Sequence, residues 1–241
     1  MSRFYVSAAL TEGQELELPE DAFRHWVQVL RARVGDSARL FDGSGYEFEA
    51  SLLAIGKRSA QVRVGTRIAV DRESPLRLSL AQAVSKGDRM DYTLQKAVEL
   101  GISEIQPLLS ERTVVKLDAE RWEKKLEHWR GVIVSACEQS GRTRLPALHP
   151  VLRLDSWLAQ PPAHELRLTL APTAQSALRD LPKAASACLL VGPEGGLSDA
   201  EITLAQRSGW TAVKLGPRVL RTETAGVAAM SAMQALWGDL G

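Results

Sequence analysis

Two loops of the sequence carry residue types and spacings that suit a bound small molecule. The first, at 191–198 (VGPEGGLS), has three glycines within five positions, so its backbone can pass close to a flat or anionic ligand. The second, at 215–226 (LGPRVLRTETAG), leaves an apolar segment through Gly and Pro and starts a helix with Thr and Glu. The first loop alone could equally be a tight strand-to-helix turn, because glycine turns are common, but the second loop favours a ligand site.

Several other kinds of site are absent from the sequence. The pattern G-x-x-x-x-G-K-[ST] does not occur, and the turn at 84–88 (VSKGD) lacks the glycine run of a dinucleotide site. The four histidines have no metal-ligand spacing, and no G-x-S-x-G elbow offers a serine nucleophile. Cys137 and Cys188 lie among small and apolar neighbours, which is typical of buried free thiols. We expect neither nucleotide hydrolysis nor NAD chemistry, and no metal.

The elements that must position the two loops alternate between strand and helix after residue 75. Strands are predicted at 76–80, 104–108, 166–170, 187–191 and 211–215, and helices at about 88–100, 122–136, from 198 onward and at 222–237. This alternation predicts a mostly parallel α/β sheet. Because ligands bind beyond the carboxyl ends of parallel strands, both loops are expected to converge on one pocket.

The region before residue 71 has a different hydrophobic period. Alternating segments at 46–52 and 61–64 predict strands, a turn at 42–45 predicts a hairpin, and 21–30 has helical spacing. A small β-barrel with one helix fits this pattern. The polar, proline-containing segment at 71–75 marks a boundary, so two domains are predicted, 1–72 and 73–241.

Charge is uneven along the chain. The whole chain has 30 Lys and Arg against 29 Asp and Glu, which does not indicate a nucleic-acid partner. Residues 24–67, however, include eight basic residues and only four acidic ones. This excess suits RNA phosphates, although a solvated face is the alternative. The candidate RNA contacts are Arg24, His25, Arg31, Arg33, Lys57 and Arg58.

Composition limits the class of protein to which the chain can belong. With 45% hydrophobic and 24% charged residues the chain is an ordinary globular one. Its apolar stretches fall far short of the roughly 20 residues that cross a bilayer, so no membrane partner is expected. The amino end becomes charged before a signal peptide forms, which favours a cytoplasmic protein.

Both loops, taken together with three further motifs, resemble the SPOUT methyltransferases. The motifs are MDYTLQKAVELG at 90–101, EQSGR at 138–142, and Arg24-His25 followed by VLR at 29–31. Within that superfamily the chain is most similar to the enzymes that methylate N3 of a uridine near the 3′ end of 16S rRNA in the assembled 30S subunit. The resemblance spans both predicted domains and implies a homodimer whose cofactor pocket lies near the subunit interface.

The fold implied by the resemblance is a SPOUT-type parallel sheet with a carboxyl-terminal deep trefoil knot, preceded by a PUA-like β-barrel. Such a knot would be a rare exception to the rules of chain topology. The implied cofactor is S-adenosylmethionine, enclosed by the two loops and the segment after Leu170, with backbone groups near Gly192, Leu215 and Leu220 reading the adenine. The implied cofactor-binding residues are Leu170, Gly192, Glu194, Gly195, Leu215, Gly216, Leu220, Thr224 and Ala225.

The implied reaction sets requirements that can be matched to residues. The N3 proton of uracil is a weakly acidic imide, so methylation needs that proton removed or the developing charge held. Arg221 and Arg142 are candidates for holding the charge, although Arg142 could simply cap its helix. Glu223 could orient an arginine or accept the proton, or it could be an acid favoured by the helix dipole.

Two other functions stay open on sequence. One is a SPOUT methyltransferase that acts on the ribose 2′-hydroxyl of tRNA or rRNA. The other is a non-catalytic RNA-binding factor of the same fold.

Overall fold

A computed structural model describes all 241 residues, and the chain divides into two compact units. The first unit is Met1–Glu73 together with Cys137–Leu145. The second is Ser74–Ala136 together with Pro146–Gly241. The break near residue 73 lies in the predicted linker, but the structure adds Cys137–Leu145 to the first unit, whereas the sequence places that segment in the second domain.

A five-stranded sheet forms the first unit. Its strands are β1 (Arg3–Tyr5), β2 (Glu15–Glu17), β3 (Ser37–Phe41), β4 (Tyr46–Ile55) and β5 (Ala60–Ala69), in the order β1-β3-β4-β5-β2. β1 pairs parallel with β3, and the other pairs are antiparallel. Phe48, Ala50 and Leu52 alternate along β4 into the core, as their period of two predicts. The predicted hairpin, β3 and β4 around the turn at 42–45, is confirmed.

The helix predicted at 21–30 is only partly α-helical. A short α1 (Glu20–Phe23) continues as a π-helix over Arg24–Val29. The wider turn is closed by the amide of Leu30, which donates to the carbonyl of His25 at 3.0 Å. Trp26 is buried in this helix and stacks on Phe4 with ring centroids 5.5 Å apart.

Arg3 explains why Cys137–Leu145 belongs to the first unit. The Arg3 guanidinium donates to the carbonyls of Cys137 at 2.7 Å, Glu138 at 2.9 Å and Arg142 at 3.0 Å. Carbonyls at a helix end have no partner within the helix, so an arginine from elsewhere in the unit satisfies them. No local sequence pattern predicts this contact between Arg3 and the end of α3.

An eight-stranded sheet forms the second unit. Its strands are β6 (Arg77–Ala83), β7 (Glu104–Leu109), β8 (Ala147–Leu148), β9 (Leu152–Arg153), β10 (Leu166–Leu170), β11 (Ser176–Ala177), β12 (Ser186–Val191) and β13 (Thr211–Lys214). The order is β11-β13-β10-β12-β6-β7-β8, with β9 also paired to β7, and every pair is parallel. The predicted parallel α/β sheet is confirmed.

Helices connect these strands. They are α2 (Asp88–Glu99), α3 (Ala119–Ser140), α4 (Leu154–Leu158), α5 (Asp199–Arg207) and α6 (Thr222–Trp237). The predicted capping box of α5 is present, because the Glu201 amide donates to Ser198 Oγ at 3.3 Å and the Ser198 amide donates to Glu201 Oε2 at 2.9 Å. Since α5 starts at a fixed point, the loop before it has a defined end.

Candidate ligand site in the second unit

Three neighbouring strands, β12, β10 and β13, end at the same edge of the parallel sheet. A cavity of about 330 Å³ lies beyond their carboxyl ends. It is lined by the segments 170–173, 191–197 and 213–216, by 218–220, and by Arg112, Asp199, Ile202, Thr222 and Ala225. The structure therefore brings the two loops and the segment after β10 together, as the sequence predicts.

Most of the predicted cofactor-binding residues line this cavity. They are Leu170, Gly192, Glu194, Gly195, Leu215, Gly216, Leu220 and Ala225. Thr224 is exposed and does not line it. The sequence missed Arg112, which comes from the loop after β7 and has no motif around it.

The first loop depends on glycine for reasons internal to the loop. A Cβ at Gly192 would lie 2.7 Å from the amide nitrogen of Leu197, which is closer than any stable contact. Gly196 adopts φ +67°, and its amide closes a turn by donating to the carbonyl of Pro193 at 2.8 Å. A Cβ at Gly195, by contrast, would meet only the Arg112 side chain, at 3.3 Å.

Side chains from other segments hold the first loop in place. Arg112 donates to the carbonyl of Gly195 at 2.8 Å. Glu194 accepts from the Lys86 amide at 2.8 Å and from the Arg89 guanidinium at 2.8 Å. Burial alone would raise the pKa of Glu194, but these hydrogen bonds outweigh it and the pKa lies below its usual value. Glu194 therefore anchors its own loop.

The second loop offers unused hydrogen-bond donors. Gly216 adopts φ +76°, and the backbone amides of Gly216, Arg218, Val219 and Leu220 donate to no acceptor within the chain. Val219 is 83% exposed. A row of free amides beside an apolar cavity is a fitting environment for a ligand with acceptor atoms.

Buried polar contacts tie the two loops together. Thr222 Oγ1 donates to the carbonyl of Gly192 at 2.6 Å, and Gln82 Nε2 donates to Thr222 Oγ1 at 3.2 Å. Gln82 is fully buried on β6 and was not predicted as a site residue. The start of α6 and the end of β12 are therefore held together by the cavity-lining Thr222 and by Gln82, which lies behind it.

The predicted catalytic residues fall into two places. Arg221 is exposed and Glu223 is half-buried at the start of α6, next to the cavity-lining Thr222 and Ala225. Glu223 Oε1 lies 3.8 Å from Arg89 Nε, while Glu223 Oε2 is buried without a hydrogen-bond partner. Arg142 lies in the first unit, only 4% exposed, with its Nε donating to Glu73 Oε1 at 3.2 Å. A catalytic role for Arg142 stays a prediction.

The candidate RNA contacts are all exposed in the first unit. They are Arg24 and His25 in the π-helix, Arg31 and Arg33 in the segment after it, and Lys57 and Arg58 in the turn between β4 and β5. Arg24 forms an ion pair with Asp21.

The structure offers neither a cluster of metal ligands nor a membrane-spanning helix. No group of three or more His, Cys, Asp or Glu side chains could hold a metal ion. None of the helices is both long and apolar enough to pass through a membrane. The two cysteines are buried free thiols as expected, and burial raises the pKa of Cys137 to about 11.

Fold and site together define a two-part α/β protein that has a ligand cavity at the strand ends and a separate small β unit. Comparison with known protein families identifies both parts as domains of RNA methyltransferases. Residues 72–234 match the RNA methyltransferase domain, and residues 18–65 match the RNA methyltransferase PUA domain.

Relatives that match over nearly their whole length identify the particular family of RNA methyltransferases. Ribosomal RNA small subunit methyltransferase E of Buchnera aphidicola is 33% identical over 239 residues, which covers 99% of this chain and 97% of the relative. The enzyme of that name from Neisseria gonorrhoeae, solved with bound S-adenosylmethionine, superimposes with a TM-score of 0.92 at 41% identity and covers 100% of both chains. A Legionella pneumophila methyltransferase, also solved with bound S-adenosylmethionine, gives 0.96 at 43% identity over 99% of this chain and 98% of that one. The chain belongs to the ribosomal RNA small subunit methyltransferase E family.

Proposed function

We propose that the chain transfers a methyl group from S-adenosylmethionine to N3 of a uridine near the 3′ end of 16S rRNA in the assembled 30S subunit. The observation that carries this proposal is the cavity formed by two glycine loops at the ends of β12, β10 and β13. In this proposal residues 1–72 form the RNA-binding domain and residues 73–241 the methyltransferase domain. The protein acts in the cytoplasm as a homodimer.

The residues around the cavity fit S-adenosylmethionine. Its adenine has acceptor nitrogens that suit the free amides of 216–220, and Leu170, Leu215 and Ile202 offer apolar contact to a ring face. Arg112, Lys214 and Arg218 line the same cavity and suit the carboxylate of the methionine moiety. When bound there, the cofactor supplies an electrophilic methyl group on a sulfonium.

Glu223 is the proton acceptor in this proposal. Its Oε2 accepts no hydrogen bond within the chain, so its lone pairs are free. Because this oxygen is buried, the side chain turns outward to take the imide proton as N3 bonds to the methyl carbon and the sulfur keeps the electron pair of the broken bond. Arg89 lies against the other oxygen, Oε1, and positions the carboxylate. Arg221 is exposed beside it and holds the negative charge that develops on the uracil oxygens.

A deep trefoil knot in the second unit is part of the same proposal. The sheet order is consistent with it, since β10 lies between β12 and β13, both of which follow it in the chain. Pulling the unfolded chain from its ends with optical tweezers tests the knot. We expect a contour length shorter than that of 241 freely extended residues, because a knot would tighten without opening, and a full contour length would contradict it.

Calorimetry with S-adenosylmethionine tests the proposed site. The wild-type chain is expected to bind, and Gly195→Val is expected to abolish binding because the isopropyl group would push against Arg112, which lines the cavity and holds the first loop through the Gly195 carbonyl. Gly131→Val is the matched control: Gly131 lies in α3 with no atom within 4 Å of a Cβ, so binding should be unchanged. A folded wild-type chain that binds no cofactor would overturn the proposal.

A further inference from the structure

Residues 24–34 of the first unit combine two rare backbone features. A π-helix spans Arg24–Val29, and π-helical turns are found frequently at functional sites. Two residues later, Arg31 adopts φ +58°, and it is the one residue other than glycine with a positive φ in the chain. Side chains with a Cβ rarely adopt this left-handed conformation, and where they do so the strain is commonly tied to function.

The conformation of Arg31 is imposed by hydrogen bonds on both sides. The amide of Leu30 donates to the carbonyl of His25 at 3.0 Å, and the amide of Ala32 donates to the carbonyl of Trp26 at 3.2 Å. Trp26 itself is 3% exposed and packs in the core of the unit. The backbone around Arg31 is therefore fixed to a buried side chain, and the direction in which Arg31 leaves the surface is fixed with it.

Glycine would occupy position 31 without strain, so the arginine is retained at a cost to the fold. Its guanidinium forms no ion pair within the chain, and the same holds for Arg33. No acidic residue occurs between 24 and 34, and the nearby Asp36 uses its carboxylate to accept from the Arg33 amide at 2.8 Å. Arg31 and Arg33 thus present positive charge that no acidic side chain pairs, whereas Arg24 is paired with Asp21.

Apolar side chains are exposed between these arginines. Val29 is 64% exposed, Leu30 is 48% exposed and Val34 is 60% exposed. Exposed aliphatic groups beside uncompensated arginines are complementary to a nucleotide, which has an anionic phosphate and an apolar base face. A surface that bound only the phosphates would not need these exposed aliphatic side chains.

We propose that residues 24–34 form a preformed RNA-binding element. Arg31 is held in one direction to contact the RNA, and Val29, Leu30 and Val34 cover the face of an unstacked nucleotide. The inference rests on the proposed function, because the RNA is that of the small subunit. It differs from a general basic surface in requiring the fixed geometry of one arginine and the apolar contacts beside it.

Arg31→Gly separates fold from binding. Because glycine accepts φ +58°, the thermal midpoint should be unchanged or higher, whereas binding to purified 30S subunits should weaken about tenfold. Leu30→Ser should weaken binding as well, with no loss of thermal stability. The loss in Leu30→Ser should persist as salt is raised, because an apolar contact is not screened, whereas the loss in Arg31→Gly should shrink as salt is raised, because its contact is with an anionic backbone.

Arg63→Ala is the control for net charge: it removes one positive charge from an exposed site on β5, where Arg63 pairs with Glu15, and it leaves residues 24–34 unchanged. It should weaken binding less, and only at low salt. The inference is overturned if Arg31→Gly and Leu30→Ser bind like the wild type, or if Arg31→Gly behaves like Arg63→Ala at every salt concentration. A wild-type chain that binds no 30S subunits would instead refute the proposed function, which the calorimetric test addresses independently.

Discussion

Arg89 contacts a carboxylate on each of the two loops. Its guanidinium donates to Glu194 at 2.8 Å on the first loop, and its Nε lies 3.8 Å from Glu223 Oε1 at the start of α6. Glu194 Oε1 accepts from both Arg89 and the Lys86 amide, whereas the buried Glu223 Oε2 accepts no hydrogen bond. At the residue scale the two acids therefore differ: Glu194 holds the first loop by its hydrogen bonds, and Glu223 is the one to which the proposed function gives the proton.

Glu223→Gln should separate catalysis from cofactor binding. The amide keeps the size of the side chain but cannot accept a proton, so we expect methyl transfer to slow by about 100-fold or more. The dissociation constant for S-adenosylmethionine should change little, because Glu223 does not line the cavity. Single-turnover rates and calorimetry measure the two effects.

Glu99→Gln serves as the control for that experiment, since Glu99 pairs with Lys96 on the surface of α2. Neither quantity should change in it. Equal losses of rate and affinity in Glu223→Gln would show that the carboxylate supports the fold of the loop instead.

At the scale of elements, the cavity is formed by where strands end and where helices begin. The capping box fixes the start of α5, and the Gln82–Thr222–Gly192 contacts fix the start of α6 against β12. The loops between these points are held at both ends. Their shape therefore depends on glycine where the backbone leaves no room.

Gly192→Ala is expected to destabilise the fold more than Gly195→Ala. A methyl group at 192 would meet the backbone at 2.7 Å, and overpacking of this kind costs about 1–3 kcal/mol. At 195 the nearest atom is Arg112 Cβ at 3.3 Å, which needs a shift of only a few tenths of an ångström, so stability should fall less than in Gly192→Ala. Urea denaturation of the two variants measures the difference, and equal midpoints would contradict the geometry of the loop.

The sequence predicts these elements well where a pattern is local. Glycine spacing indicated both loops, and period-two and helical spacing indicated the strands and helices that carry them. Arg112 and Gln82 were missed because each reaches the site from a distant segment with no motif around it. The π-helix after Phe23 was missed because its spacing resembles that of an α-helix over so few residues.

At the scale of the whole molecule, the first compact unit is assembled from two stretches of the chain. Cys137–Leu145 leaves the second unit in sequence and packs in the first, held by Arg3 and by Arg72, which donates to the carbonyl of Gly141 at 2.7 Å. Arg142 in this segment is buried and paired with Glu73. The partners of one segment are thus more than sixty residues away in the chain.

A chain that begins at Ser74 should therefore be less stable than the full chain. It keeps Cys137–Leu145 but loses Arg3, Arg72 and Glu73, so the carbonyls at the end of α3 lose their donors. We expect a thermal midpoint lower by about 5 °C or more. Arg3→Ala in the full chain should reproduce part of that shift, and an unchanged midpoint in the shortened chain would contradict the assignment of the segment to the first unit.

Identification of the methylated nucleoside is the most direct test of the proposed function. Purified 30S subunits that lack the modification are incubated with the protein and labelled S-adenosylmethionine, and the 16S rRNA is digested to nucleosides for mass spectrometry. We expect the label in N3-methyluridine at a single position near the 3′ end. Label in a 2′-O-methylated nucleoside, or no transfer by a protein that binds both cofactor and subunits, would contradict it.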